Sequence, residues 1–136
     1  MLFRSLYLYN NFGPGDTRDK VVPLIVRACK QGESLSLRSP DALINLMYVG
    51  DVVAAVNRAI GSNVLGRYSV ASKDVVSIRT LVSMVEEVFG RTVAVKWTDP
   101  DGVPEPPIPN LYPPLPGWSP TWTLEQGLRE LRDSLQ

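Results

Sequence analysis

The chain has 136 residues, 44% of them hydrophobic and 21% charged, and its fourteen basic residues balance its fourteen acidic ones. That length suits one domain with a respectable core, and the neutral balance gives no global field for nucleic acid or an anionic membrane surface. The absence of histidine removes the commonest general base, excludes Ser-His-Asp chemistry and argues against a zinc site, and no apolar run approaches the ~20 residues of a bilayer span.

Leu6–Asn10 reads as a first strand, closed by the turn-forming Gly13-Pro14-Gly15. A helix is expected over Lys20–Gln31, with Pro23 in its first turns, Gly32 as its stop, and Val21, Leu24, Ile25, Ala28 and Cys29 as its buried stripe. Cys29, the single cysteine, precludes an intramolecular disulfide and suits a reducing cytoplasm; without a histidine to activate it, it reads as a buried thiol rather than a nucleophile. Ser34–Arg38 alternates as a short half-buried strand, and Leu43–Val49 is extended and apolar apart from Asn45. Asp51 is the expected cap of a helix running to Ile60, and Gly61 follows. Arg67–Ala71 is another strand. Ser77 then caps a helix over Ile78–Phe89 that ends at Gly90, and Thr92–Trp97 alternates as a last strand.

Composition changes after Trp97. Nine of the twelve prolines fall between 98 and 120, which predicts an extended loop. The charge changes too: residues 1–97 hold twelve Lys/Arg against eight Asp/Glu, and 98–136 hold two against six. Thr123-Leu-Glu-Gln126 has the form of a capping box opening a final helix striped by Leu124, Leu128, Leu131 and Leu135. The fold class is therefore α/β with a small α+β lobe. Its expected divisions are a residual strand and loop at 1–16, helices and short strands at 17–97, a proline-rich loop at 98–122 and a terminal helix at 123–136.

In order, Leu8-Tyr-Asn10-Asn-Phe-Gly13-Pro14-Gly15, Lys20-Val21-Val-Pro23, Leu35-Ser-Leu-Arg38, Tyr48-Val49-Gly50-Asp51-Val52, Tyr68-Ser-Val-Ala71 and Gly117-Trp118-Ser-Pro120…Leu124-Glu-Gln-Gly127-Leu128 resemble the C-terminal, substrate-binding half of the extended short-chain dehydrogenase/reductase family, the NAD-dependent nucleotide-sugar epimerases and dehydratases. The resemblance implies a Rossmann-like protein whose nucleotide-binding half is absent here. It implies substrate contacts at Asn10 (the sugar-nucleotide diphosphate), Lys20 and Val21 (near the nucleotide) and Arg38 (near the base or phosphate). Taken as residues, Asn10 has the alternative of capping its turn, and Lys20 and Arg38 that of belonging to a solvated surface. Trp118 and Trp122 read as packing anchors rather than base-stacking groups.

The chain departs from the family at Ile44-Asn45-Leu46, where relatives carry Arg-Asp-Phe and the Arg clamps the diphosphate. The second phosphate-binding Arg is also missing, and its place falls in Asp99–Glu105, which is acidic and repels a diphosphate. Neither a Gly-x-x-Gly-x-x-Gly turn nor a Tyr-x-x-x-Lys pair occurs. No catalytic, cofactor-binding or metal-binding residue is expected on this chain, and NAD(P) is implied for the complete family enzyme alone. Two functions follow: the substrate-binding portion of a nucleotide-sugar epimerase, dehydratase or reductase, inactive alone and needing a missing Rossmann half, or a non-catalytic, self-associating binding module that has weakened or lost its nucleotide-sugar ligand. Both are cytoplasmic, with no nucleic-acid or membrane partner.

Overall fold

A computed structural model describes residues 3–136. Its first strand segment is divided in two. Strand β1 (Arg4–Leu8) pairs in parallel with β5 (Gly66–Val70), from Arg4↔Gly66 to Leu8↔Val70. The chain then changes partner: β2 (Asn10–Phe12) pairs in parallel with β4 (Leu43–Tyr48), from Asn10↔Leu46 to Phe12↔Tyr48. The single strand expected over Leu6–Asn10 is thus two strands meeting at Tyr9, and Asn10 opens the second rather than closing the first. Period-2 alternation cannot reveal such a hand-over, because both pieces keep an extended backbone.

Strand β4 is the centre of its sheet. Its other edge pairs antiparallel with β6 (Val75–Ser77), a short strand that the sequence pattern had hidden in the approach to a helix. Neighbouring β4 side chains point to opposite faces, so Leu46 enters one core cluster and Met47 the other. The larger cluster lies beneath α1 (Val21–Gln31), α3 (Ile78–Phe89) and α4 (Leu124–Ser134), with Phe12, Ile25, Leu81, Val85 and Leu128 at most 2% exposed. In α1 the buried residues are Val22, Ile25, Val26, Ala28 and Cys29, so the apolar face is rotated from the expected one toward Val22 and Val26. The smaller cluster packs α2 (Val49–Ile60) through Ala55 and Ala59 against Met47, Val70 and Leu115. Strands β3 (Leu35–Leu37) and β7 (Val95–Trp97) form a separate parallel pair.

Local signals explain the helix ends. Ser77 Oγ accepts from the Thr80 amide at 3.1 Å, and α3 stops at Gly90 in the left-handed region, φ 68°. Both arms of the capping box at Thr123 and Gln126 are formed. Asp51, by contrast, is not a cap. Tyr48 occupies the position before α2, and Asp51 lies within the first turn, 2% exposed. Its carboxylate accepts from the Thr121 amide (2.9 Å), the Thr121 hydroxyl (3.1 Å) and the Trp122 amide (3.0 Å). The acidic residue still complements the helix dipole, but its lone pairs bind the tail.

That tail follows the protein surface without helix. Ser69 donates its amide to Pro113 O at 2.9 Å, Leu115 is buried in the smaller cluster, and Trp118 Nε1 donates to Asp51 O at 3.1 Å. Trp122 stacks at a tilt on Tyr48, ring centroids 4.4 Å apart. Both tryptophans anchor the loop to the folded body.

Candidate functional site

A cleft opens where β1 hands over to β2. It has two adjoining halves that share Tyr9, Asn10 and Ile44, of about 270 and 310 Å³. The first half is walled by Asn10, Asn11, Arg18, Lys20 and Val21, together with the start of α1. The second is walled by Arg38, Ser39, Asp99 and the proline-rich segment from Val103 to Ile108. Asn10, Lys20 and Val21 therefore come together in one half, and Arg38 stands in the other with Asn10 between them. Residues far apart in sequence converge because β2 lies beside β4 and leads into α1.

The start of α1 makes the first half a place for negative charge. Lys20 precedes the helix in an extended conformation and offers no capping side chain, and the first turn holds no acid. Leu24 N–H is the first amide to bond back, to Lys20 O at 3.0 Å, and Pro23 has no N–H. The amides of Val21 and Val22 thus have no intrahelical partner, and the positive end of the helix dipole adds to the Lys20 charge. Arg18 lines the same half, a placement that its sequence context gave no reason to expect. Its guanidinium grips Asp16 with two contacts of 2.8 Å and donates to Asn11 O at 3.2 Å. That hydrogen-bonded partner holds the Asp16 carboxyl below its ordinary value and so keeps it ionised.

The second half carries more acid than base. Arg38 Nε lies 3.7 Å from Asp99 Oδ2, and Glu105 is in the same wall. Two backbone bonds, Thr98 N to Leu37 O (2.9 Å) and Asp99 N to Arg38 O (2.8 Å), hold the start of the tail beside β3. Tyr9 OH donates to Pro109 O at 3.1 Å and ties the far end of that wall to the strand hand-over. Ser39 is 9% exposed, and its hydroxyl has no partner among the described residues. A serine between an arginine and a proline gives no sequence signal of this; only the fold buries it.

At the junction Ile44 lines both halves and also packs against the larger core cluster. The neighbouring Asn45 is occupied elsewhere, donating to Ser72 O at 2.9 Å and accepting from Ser72 N at 3.0 Å. A larger hollow of about 670 Å³ lies between the Gly13–Gly15 turn, α1 and the end of α4, floored by Phe12, Val22, Val26, Leu131 and Leu135. Its floor is apolar, Arg27 and Lys30 stand in its wall, and Asn10, Lys20 and Arg38 take no part in it. No cluster of three or more potential metal ligands occurs among the described residues. No described helix is long and apolar enough to cross a membrane.

Known proteins share both the sequence pattern and the fold. The sequence profile of the NAD dependent epimerase/dehydratase family matches residues 1–71. CDP-abequose synthase of Yersinia pseudotuberculosis is 30% identical over 63 residues, which are 46% of this chain and 22% of that protein. UDP-glucose 4-epimerase of Thermus thermophilus, solved with NAD, superposes with a TM-score of 0.81 at 24% identity, covering 98% of this chain and 46% of the enzyme. UDP-N-acetylglucosamine 4-epimerase of Methanobrevibacter ruminantium, solved with UDP-N-acetylmuramic acid, gives 0.83 at 21% identity, covering 99% and 46%. The chain thus spans less than half the length of these relatives, and the structural matches establish the α/β fold they share.

Proposed function

As the chain belongs to the NAD dependent epimerase/dehydratase family, we propose that it is the C-terminal, substrate-binding portion of a nucleotide-sugar epimerase, dehydratase or reductase. The observation that carries this reading is the convergence of Asn10, Lys20 and Val21 on one half of a cleft whose other half holds Arg38. A cation, two helix-start amides free of intrahelical partners and a carboxamide suit phosphate oxygens, and the adjoining half, with its proline wall and hydroxyl-accepting carboxylates, suits a base or sugar. The similar enzymes are solved with UDP-sugar ligands or NAD, which supports a nucleotide-sugar as the ligand class.

In this reading the dinucleotide and the proton-transfer pair are supplied by another polypeptide segment. Five residues separate Gly15 from the first residue of α1 at Val21, so the Gly-Pro-Gly turn does not open that helix as a dinucleotide cradle does. Strand β1 pairs with β5 alone among the described residues, and Tyr7 (40%) and Leu8 (46%) on it are exposed. The outer face of α2 carries Val49, Val53, Val56 and Ile60, all exposed and spaced as one stripe. Parallel sheets are ordinarily covered on both faces, so this side suits a missing Rossmann half.

A second reading is favoured by Ile44 and by the acids Asp99 and Glu105 in the cleft: a non-catalytic module that binds nucleotide-sugars weakly or not at all and self-associates through the same apolar side. Thermal-shift titration with UDP-, dTDP- and CDP-sugars separates the two. Stabilisation by any of them, abolished in Asn10→Ala, supports the substrate-binding portion; a flat response to all three supports the module.

A further inference from the structure

We propose that the larger hollow is a second binding site, for an anionic amphiphile: one alkyl chain ending in a single carboxylate or phosphate. Of the cleft's lining it shares only Val22 and Pro23, and the inference stands apart from the nucleotide-sugar reading.

Shape and floor point to the chain. The hollow of about 670 Å³ falls within the roughly 300–1,000 Å³ of small-molecule sites. A smaller one of about 240 Å³ continues it past Lys30 and Leu135, which line both, so the two make one elongated groove along α1. Phe12, Val22, Val26, Leu131 and Leu135 floor the first part, and Phe89 carries the apolar surface into the second. None of these side chains offers a hydrogen bond. A peptide or sugar laid on them would leave amides or hydroxyls unpaired, whereas an alkyl chain gives up only water. Leu135 is 42% exposed, and a chain lying in the groove covers it.

The rim points to the anionic head. Arg27 and Lys30, three residues apart on α1, stand in the wall of the first part, and Arg91 and Arg132 line the second. Asp16 is the one acidic side chain among the described lining residues, and Arg18 already grips it through two 2.8 Å contacts. Arg132 is held by Asp133 at 2.9 Å. Arg27 meets Asp19 at 3.5 Å in a solvent-exposed pair, a contact weak enough for another anion to replace. Lys30 and Arg91 are in no ion pair among the described residues. The fold nevertheless brings them together, since Arg91 Nη1 donates to Lys30 O at 2.9 Å. The end of α1 opposes an anion through its dipole, but Arg91 occupies Lys30 O, and the Gly32 and Glu33 amides bond to Ala28 O. Two neighbouring cations without a carboxylate between them, on the bank of an apolar groove, complement one anionic head.

The test is calorimetric titration of the purified chain with decanoate, decyl phosphate and decyltrimethylammonium, each below its micelle threshold, and with phosphatidylglycerol vesicles. The two anions are expected to bind one per chain, at least tenfold tighter than the cation. Reversing the bank in Arg27→Glu with Lys30→Glu should weaken both anions tenfold or more; Arg27→Gln with Lys30→Gln serves if the first pair fails to fold. Amide chemical shifts should move at Val26, Lys30, Leu131 and Leu135 and stay still at Asn10 and Arg38. No binding of either anion up to millimolar concentration overturns the inference, as does equal affinity for the cation or an undiminished affinity in the variant. Shifts centred on Asn10 and Arg38, or binding to vesicles without binding to the dissolved anions, overturn it too. None of these failures touches the nucleotide-sugar reading, whose ligands are absent from the titration.

Discussion

Replacing Asp51 with alanine should detach the proline-rich tail from the folded body. The carboxylate is 2% exposed and accepts three hydrogen bonds, from the Thr121 amide and hydroxyl and from the Trp122 amide, at 2.9–3.1 Å. Hydrogen bonds to a charged acceptor contribute roughly 1.5–3 kcal/mol each. The Thr121 hydroxyl can rotate toward water, and Thr121 itself is exposed, so the loss is carried mainly by the two amides and partly recovered by solvation. We expect about 3 kcal/mol, a large share of the roughly 5–15 kcal/mol that holds a domain of this kind together. For a chain of this length that corresponds to a fall in Tm on the order of 10 °C. Asp51→Asn keeps one acceptor oxygen but turns an NH2 group toward a remaining N–H donor, so it should cost about 2 kcal/mol, nearly as much as the alanine. Urea unfolding followed by tryptophan emission is the assay, because Trp118 and Trp122 flank the contact and the tail's release should shift their emission to the red before the global transition. An Asp51→Ala chain within about 0.5 kcal/mol of the parent, with unshifted emission, refutes the assignment of Asp51 as the tail's anchor.

Other consequences follow from single groups. The Asp16 carboxyl is held below its ordinary value of 3.8 by the Arg18 hydrogen bonds, so its contribution to stability is complete above that value and disappears as pH falls through the lower folded one; Arg18→Gln should flatten the stability profile in that acid window. Gly127 in α4 packs where an added Cβ would lie 2.8 Å from Phe12 Cζ, in the larger core cluster, and 3.0 Å from Cβ of Tyr48, packed against it; Gly127→Ala should therefore destabilise by about 1–3 kcal/mol despite alanine's better helix propensity, as read by thermal melting. Cys29 is fully buried, and burial pushes its thiol pKa up, so a thiol reagent should label it at the rate of unfolding rather than at the rate of a surface cysteine.

Much of the architecture was legible because its signals are local. Ser77, Gly90 and the Thr123–Gln126 box mark helix ends through contacts within four residues, and each forms as its residue types dictate. Asp51 shows where local reading stops. An acid at a helix start looks like a cap, yet the donors it satisfies are 70 and 71 positions away. The break at Tyr9 was hidden for the same reason, since it is set by which distant strand, β5 or β4, lies alongside. In the cleft, the residues named by resemblance to the family could be chosen from sequence, but their availability could not. Arg18 and Arg38 differ from Lys20 through the carboxylates folded against them, and Ser39 matters through burial that no neighbouring residue announces.

The proposed function requires that Asn10, Lys20, Val21 and Arg38 surround one ligand-holding cleft on a chain that does not itself hold the dinucleotide. Amide chemical-shift mapping of the isotopically labelled chain, titrated in parallel with UDP- and CDP-sugars and with NAD(P), reads both halves of that requirement in one experiment. A nucleotide-sugar should move the amides of Asn10, Val21 and Arg38 together along one saturating curve, while NAD(P) should move none of them. Micromolar NAD(P) binding, or nucleotide-sugar shifts confined to residues outside the cleft, would contradict the proposal.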